Sequence, residues 1–233
     1  MVVNRLAEPP TPASIEPAGA SDASLVSCAA RRALDLTMAG MALILLSPVL
    51  AAVALAIRFD SKGPTIYRQR RIGLGGSEFL VNKFRSMRAD ADSKKHRDYV
   101  RELINRDSGA EESHAGLYKL AVDDRITPVG RFIRKWSLDE LPQLWNVVRG
   151  EMSLVGPRPV IPYEVDCYPD WYHLRFTVKP GLTGLWQVSG RNERTYDEMV
   201  RLDVEYAQRR TLWLDLKILT RTVWVVLSQR GVA

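Results

Sequence analysis

The feature that most constrains this chain is an uncharged apolar segment near its N-terminal end. Residues 36–57 read LTMAGMALILLSPVLAAVALAI and contain no formal charge. As a straight helix, these roughly 22 residues would reach about 33 Å, enough to cross a bilayer core of about 30 Å. The mean hydropathy of −0.16 hides this segment, because the rest of the chain is polar.

The middle of the apolar segment contains Ser47-Pro48, which predicts a break in the helix. Proline has no backbone N–H and clashes with the preceding turn, so it kinks or ends a helix. Basic residues also lie on both sides of the segment: Arg31, Arg32, Arg58, Lys62, Arg68, Arg70 and Arg71. Because basic flanks favour the cytoplasmic side, two such flanks suit a segment that enters and leaves on one face. The residues alone leave a re-entrant and a spanning segment both open, with a buried soluble helix less favoured than either.

The chain divides into three parts by composition. Residues 1–30 are rich in Pro, Ala, Ser and Gly and predict a disordered tail. Residues 31–60 contain the apolar segment and predict the membrane region, and residues 61–233 form a polar body. In the body, residues 65–68 and 79–81 flank a glycine cluster and predict a β-hairpin. Residues 89–116 predict a charged surface helix and a loop, and residues 196–228 predict two helices, the second facing a core or a lipid interface.

The net charge and the positions of the cysteines and histidines limit which kinds of function the chain can have. A net charge of +6 and a pI near 9.4 favour anionic partners such as nucleic acid, phosphorylated small molecules or an acidic membrane. The two cysteines are far apart, which excludes a disulfide scaffold, and the three histidines have no zinc-binding spacing, which gives a zinc hydrolase little support. Interleaved acidic residues and the lack of a helix-turn-helix pattern argue against nucleic acid.

The segment SLDELPQL, residues 137–144, is the strongest candidate for chemistry. Ser-x-x-Glu is the capping-box pattern, so Ser137 predicts a helix start; the alternative is Asp139 as the cap, which puts Pro142 in the first turn. Both alternatives place Asp139 and Glu140 at a helix N-terminus, where carboxylates and phosphates are favoured. Two adjacent carboxylates there suit a nucleophile and a divalent-cation ligand.

Basic side chains surround this pair in the sequence, and guanidinium groups bind phosphate oxygens well. Together these residues predict a pyrophosphate substrate, although each one alone is more typical of a solvated surface than of a site. They are Lys83, Arg85, Arg131, Arg134, Lys135 and Arg158.

Three long motifs, in this order, resemble the bacterial sugar transferase family, the monotopic polyprenyl-phosphate phosphoglycosyl transferases. They are KFRSM (83–87), DDRITPVGRFIRKWSLDELPQLWNVVRGEMSLVGPRP (123–159) and KPGLTGLWQVSGRN (179–192). The resemblance covers about residues 31–230 and is nearest to the short exopolysaccharide-initiating members. It implies an α+β, mostly helical fold: a re-entrant membrane helix-break-helix with its break at Ser47-Pro48, a β-hairpin, and a small cytoplasmic catalytic domain with interfacial amphipathic helices.

The resemblance also implies an activity and its partners. A sugar 1-phosphate would pass from a UDP-hexose, with galactose or glucose expected, to undecaprenyl phosphate with release of UMP. The reaction would depend on Mg²⁺ and take place at the cytoplasmic face of the inner membrane. Anionic membrane lipids are expected partners, and contacts with downstream glycosyltransferases or with a second copy of the chain are compatible with it. A basic membrane-anchored scaffold or binding protein is the alternative from another class.

Individual roles follow from motif positions in the family. Asp139 is expected to be the nucleophile that forms an aspartyl-phosphosugar intermediate, and Glu140 the Mg²⁺ ligand. The expected phosphate-binding groups are Lys83, Arg134 and Arg158. Arg191 and Asp203 are weaker candidates for supporting or nucleotide-binding roles.

Overall fold

The computed structural model describes residues 22–88, 125–190 and 195–228, which form helices and two small sheets. The helices are α1 (Asp22–Leu45), α2 (Ser47–Asp60), α3 (Pro128–Lys135), α4 (Gln143–Arg149), α5 (Pro162–Val165), α6 (Tyr196–Arg209) and α7 (Leu212–Ser228). The strands are β1 (Ile66–Ile72), β2 (Glu78–Phe84), β3 (Ser153–Val155) and β4 (Gly181–Thr183). This mixture confirms a mostly helical α+β fold. The predicted helix and loop at 89–116 lie outside the described residues.

The first sheet is the predicted hairpin. Strands β1 and β2 pair antiparallel, from Ile66 opposite Phe84 to Ile72 opposite Glu78. The connecting 3₁₀ turn contains Gly75 with a φ of 63°, a left-handed conformation that favours glycine. The second sheet pairs β3 with β4 in parallel and was not predicted from the sequence.

The break at Ser47-Pro48 is confirmed as a bend between α1 and α2. In an unbroken helix the carbonyl of Ile44 would accept a bond from the residue-48 N–H, which proline lacks. The hydroxyl of Ser47 donates to that carbonyl instead, at 2.8 Å. The chain can therefore bend here without leaving the Ile44 carbonyl unbonded in an apolar region.

Within the described ranges, no single helix has both the length and the apolar character needed to cross a membrane. Residues 26–45 and helix α2, which are bent by 61° at the break, meet that requirement only when taken together. Helix α1 begins at Asp22, so the expected boundary of a disordered tail at residue 30 is wrong. Residues 22–30 are mostly apolar or alanine and extend the helix, while residues 1–21 lie outside the described part of the chain.

Two arginines of the predicted basic flank bind the body of the protein. Arg31 Nε donates to Asp215 Oδ2 on α7 at 3.0 Å. Arg32 donates to the carbonyls of Val147 and Val148, both at 2.7 Å, and so satisfies the last turn of α4. Both guanidinium groups on the N-terminal side of the apolar segment are therefore bound to the body of the protein.

One turn further along α1, Asp35 ties the same helix to β3. Its carboxylate accepts the Leu154 N–H at 2.8 Å and the Ser153 hydroxyl at 2.9 Å. Strand β3 leads directly into residues 156–160, which carry Arg158. Residues 153–160 therefore contact helix α1 through Ser153 and Leu154 and carry Arg158 of the predicted site a few residues later.

Candidate active site

The segment with the two adjacent carboxylates folds as a 3₁₀ turn, Leu138–Glu140, ahead of α4. Ser137 has a φ of 55° and its side chain makes no capping hydrogen bond, so the predicted capping box is wrong. Helix α4 begins only at Gln143, with Pro142 as its N-cap residue, so Asp139 is not its cap either. The reason is Pro142 itself: a helix started at Leu138 would need the N–H that proline lacks.

Helix α3, which belongs to the motif at residues 123–159, packs against the KFRSM motif at residues 83–87. Thr127 caps α3 by accepting the N–H of Gly130 at 2.9 Å. A Cβ atom on Gly130 would lie 2.0 Å from the carbonyl oxygen of Ser86, so only glycine permits this approach. The close contact places Arg134, in the last turn of α3, where its charge acts on Asp139.

Glu140 forms the central ion pair of the site. Lys83 Nζ on β2 donates to Glu140 Oε1 at 2.8 Å, and Arg158 Nη1 lies 3.9 Å from the same oxygen. Burial alone would raise the pKa of Glu140, but the positive charges of Lys83 and Arg158 outweigh it and lower the pKa to about 2. Glu140 is therefore ionised throughout the physiological pH range.

Asp139 has the opposite electrostatic environment although it is the next residue. Burial, and then the negative charge of Glu140, raise the pKa of Asp139 from 3.8 to about 6, against the opposing charges of Lys83 and Arg134. The pair thus contains one permanently charged carboxylate and one that titrates just below neutral pH. Neighbouring carboxylates with separated pKa values are typical of functional sites.

A shallow cavity opens beside this pair and carries an excess of positive charge. Its polar and charged lining consists of Arg71, Lys83, Glu140, Gln143, Arg158 and Gln187. Three of these are cations and one is an anion, so a bound anion would complete the charge balance. The lining suits a phosphate or diphosphate group.

Arg71 is a site residue that the sequence analysis assigned only to the basic flank. It is buried on β1, donates to the Pro159 carbonyl at 3.0 Å and lines the cavity with Lys83. Burial lowers its pKa from the usual arginine value. Strand alternation could have identified this residue. Tyr67 pairs with Lys83 in the hairpin, and Arg71, four residues after Tyr67, lies on the same face of the sheet as Tyr67 and Lys83.

Two predicted substrate-binding residues have structural contacts instead. Arg85 donates to the carbonyls of Ile57, Ser61 and Pro64, so its guanidinium closes the end of α2. Asp203 is 1% exposed at its side chain and forms an ion pair with buried Arg175, out of reach of a ligand. Both side chains are therefore engaged within the fold, the Arg85 guanidinium at the end of α2 and the Asp203 carboxylate by Arg175. Arg191 lies outside the described residues.

Comparison with known proteins gives an independent account of the chain. It is 45% identical over 201 residues to a UDP-galactose-lipid carrier transferase of Erwinia amylovora, covering 86% of this chain and 41% of that protein. It is 41% identical over 202 residues to the exopolysaccharide production protein ExoY of Rhizobium meliloti, covering 87% of both chains. It is also 41% identical to a UDP-glucose:undecaprenyl-phosphate glucose-1-phosphate transferase of Caulobacter vibrioides, covering 83% of this chain and 68% of that protein.

The chain thus spans less than half the length of the first relative and most of the second. The family description "Bacterial sugar transferase" matches residues 26–229, which include both helices of the bent pair and every residue of the cavity. On this match and these identities, the chain belongs to the bacterial sugar transferase family.

Proposed function

We propose that this chain transfers a sugar 1-phosphate from a UDP-hexose to undecaprenyl phosphate and releases UMP, as the first membrane step of exopolysaccharide repeat-unit synthesis. The single observation that carries the proposal is the Asp139–Glu140 pair beside a cationic cavity, with Lys83 donating to Glu140 at 2.8 Å. The raised pKa of Asp139 and the lowered pKa of Glu140 agree with it. The names of the relatives, which include galactose and glucose transferases acting on undecaprenyl phosphate, support the substrate class.

In the first step, a carboxylate oxygen of Asp139 attacks the β-phosphorus of the UDP-sugar. The bond between that phosphorus and the bridging oxygen breaks, its electron pair leaves with UMP, and an aspartyl-phosphosugar remains on the enzyme. With a pKa of about 6, most Asp139 side chains are deprotonated at pH 7.5 and available as nucleophiles. Arg71, Lys83 and Arg158 bind the diphosphate and stabilise the charge that develops on it.

In the second step, a phosphate oxygen of undecaprenyl phosphate attacks the phosphorus of the intermediate. The bond from phosphorus to Asp139 breaks, the carboxylate is regenerated, and the product is an undecaprenyl-diphosphate sugar. Two separate displacements mean that the soluble donor and the lipid acceptor use the same site in turn. The shallow cavity does not have to hold both substrates at once.

Mg²⁺ is the proposed metal cofactor, with Glu140 as its protein ligand. Among the residues with described positions, no three His, Cys, Asp or Glu side chains cluster as a metal site. Mg²⁺ commonly binds through one or two carboxylates and substrate phosphates, so the ionised Glu140 beside a diphosphate site fits it. When bound, the ion supplies Lewis-acid stabilisation of phosphate charge.

We further propose that the bent pair α1–α2 is re-entrant, which makes the protein monotopic in the inner membrane with its body on the cytoplasmic face. The bend of 61° and the apolar side chains left exposed on both helices support this topology. The most exposed are Val26, Ile44, Leu45, Leu55 and Phe59. Helix α7 also exposes apolar side chains, Trp213, Val223, Trp224 and Leu227, and suits an interface rich in anionic lipid.

The test uses the purified full-length chain in detergent with Mg²⁺, undecaprenyl phosphate and either UDP-galactose or UDP-glucose. We expect UMP release with at least one donor, and a sugar-phosphate adduct on Asp139 detected by mass spectrometry when the acceptor is withheld. Asp139→Asn should abolish both signals. Full turnover by Asp139→Asn would disprove the covalent route, and no UMP release from any UDP-hexose would disprove the activity.

A further inference from the structure

A buried ion pair between Arg175 and Asp203 contacts the segment that carries Arg158. Their side chains are 0% and 1% exposed. Arg175 is part of the 3₁₀ helix Asp170–Thr177, and Asp203 lies on α6. Arg175 also donates to the hydroxyl of Tyr168 at 3.2 Å.

The Arg158 segment is held through three consecutive carbonyl groups. Each one accepts a hydrogen bond from a different part of the fold. The bonds are Gly181 N to Pro157 O (2.8 Å), Arg175 Nη2 to Arg158 O (3.2 Å) and Arg71 Nη1 to Pro159 O (3.0 Å). Two of the three donors are therefore buried arginine side chains.

The sequence of this segment explains why side-chain donors are used. Pro157 and Pro159 have no backbone N–H, so the segment cannot form a regular strand ladder on either side of Arg158. The proline rings fix two backbone torsions, and hydrogen bonds to the carbonyls then fix where the segment lies. The position of the Arg158 backbone in turn limits where its guanidinium can reach beside Glu140.

The energy of the ion pair points to a role beyond stability. Burying a charged arginine is costly, and Asp203 offsets the cost by supplying the opposite charge. An apolar pair of similar volume often stabilises a fold as well as a buried ion pair does. An apolar pair could not, however, donate to the carbonyl of Arg158.

We propose that Arg175 and Asp203 are positioning residues for Arg158: Arg175 holds the Arg158 carbonyl, and Asp203 holds Arg175. Arg158 is thereby kept where its side chain binds the diphosphate of the donor. The inference rests on the proposed function, because that function identifies the anion in the cavity as a nucleotide diphosphate.

The test is a double-mutant cycle with UDP as the probe. The variant Arg175→Met/Asp203→Leu keeps the net charge and much of the volume but removes the bond to the Arg158 carbonyl. We expect it to weaken UDP binding, measured by calorimetry with Mg²⁺ present, by about 10-fold to 100-fold. Adding Arg158→Ala should then weaken binding little further, because the pair acts through Arg158.

Two results would overturn the proposal. One is UDP affinity that is unchanged in the double variant, and the other is a cycle in which the effects of the pair and of Arg158→Ala simply multiply. A matched control is Arg209→Met/Glu205→Leu, which removes an exposed ion pair on the same helix and should leave UDP affinity unchanged.

A conservative variant provides a second test in case the double variant does not fold. Arg175→Lys keeps a positive charge beside Asp203, but an ammonium group lacks the guanidinium fork that reaches Asp203, Tyr168 and the Arg158 carbonyl together. It should show the same cycle with Arg158→Ala. If circular dichroism shows that neither Arg175 variant folds, the pair is a folding element and the positioning role is wrong.

The outcome also separates this inference from the proposed function. A wild-type chain that binds UDP but releases no UMP from any UDP-hexose would disprove the activity and still allow the cycle to be measured. A wild-type chain that is active, with effects that multiply, would disprove only the positioning role.

Discussion

Replacing Asp139 with asparagine should stabilise the folded protein at alkaline pH while abolishing its activity. The folded-state pKa of about 6, against an ordinary 3.8, makes ionised Asp139 about 3 kcal/mol less favourable in the folded protein than in the unfolded chain. Because the residue is only partly buried, about half of this value is realistic. The stability that protonated Asp139 provides is complete below pH 4 and is lost as the pH rises through 6, whereas asparagine never ionises.

The assay is thermal unfolding of the purified protein in detergent at pH 8 and at pH 4. About 1.5 kcal/mol should raise the Tm of Asp139→Asn by roughly 3–6 °C at pH 8 for a chain of this size, with little change at pH 4. Glu140→Gln is the matched control with the opposite sign. The pKa of Glu140 is lowered from 4.5 to about 2, so its ionised form stabilises the fold at pH 8, and the variant should melt at a lower temperature there.

A Tm at pH 8 that is unchanged or lower for Asp139→Asn would refute the electrostatic description of the site. So would a gain of equal size at both pH values, because that gain would not arise from ionisation. Tm shifts of the same sign at pH 8 for Asp139→Asn and Glu140→Gln would show that the two neighbouring carboxylates have the same electrostatic environment.

Three further predictions concern activity and topology. The rate of UMP release should fall as the pH drops through about 6, because only ionised Asp139 attacks; a rate that stays level from pH 7 to pH 5 would contradict this. Lys83→Met removes the 2.8 Å ion pair and should lower kcat/KM at least about 10-fold, whereas Lys62→Met, on an exposed side chain, should change it little; equal effects of the two variants would contradict a specific role. For topology, Cys167→Ser removes one of the two native cysteines, so that Cys28 and an added Lys62→Cys can be labelled. A membrane-impermeant maleimide should reach both from the same side of the membrane in inside-out vesicles, and labelling from opposite sides would disprove re-entrance.

The sequence predicted features that depend on local chemistry. Proline interrupts the interior of a helix but is tolerated in the first turn. The structure accordingly has the bend at Ser47-Pro48, with Pro48 in the first turn of α2 and the Ser47 hydroxyl donating to the Ile44 carbonyl. The hairpin was likewise predicted from alternating residues around Gly75 and Gly76. In both cases the residues that cause the structure are within a few positions of it.

Features that depend on distant contacts were missed or misassigned. Strands β3 and β4 have three residues each, too few for an alternation pattern to be visible, and they pair across a long stretch of chain. Arg85 was assigned to phosphate binding because guanidinium groups suit phosphate oxygens, and Asp203 was a candidate because of its position in the family motif. Their partners, the carbonyls at the end of α2 and Arg175, come from other parts of the chain and cannot be identified without the fold.

The difference between Asp139 and Glu140 follows from one such distant arrangement. In a 3₁₀ turn, adjacent side chains point about 120° apart, so the two carboxylates meet different neighbours. Lys83 on the hairpin donates its hydrogen bond to Glu140, and Arg158 also lies near Glu140. Asp139 is left with burial and the negative charge of its neighbour as the main influences on its pKa. A carboxylate that is not held by a strong hydrogen-bond donor keeps its lone pairs available for attack on phosphorus. In the proposed mechanism, the ion pair at Glu140 therefore keeps the Lys83 hydrogen bond away from Asp139, the expected nucleophile.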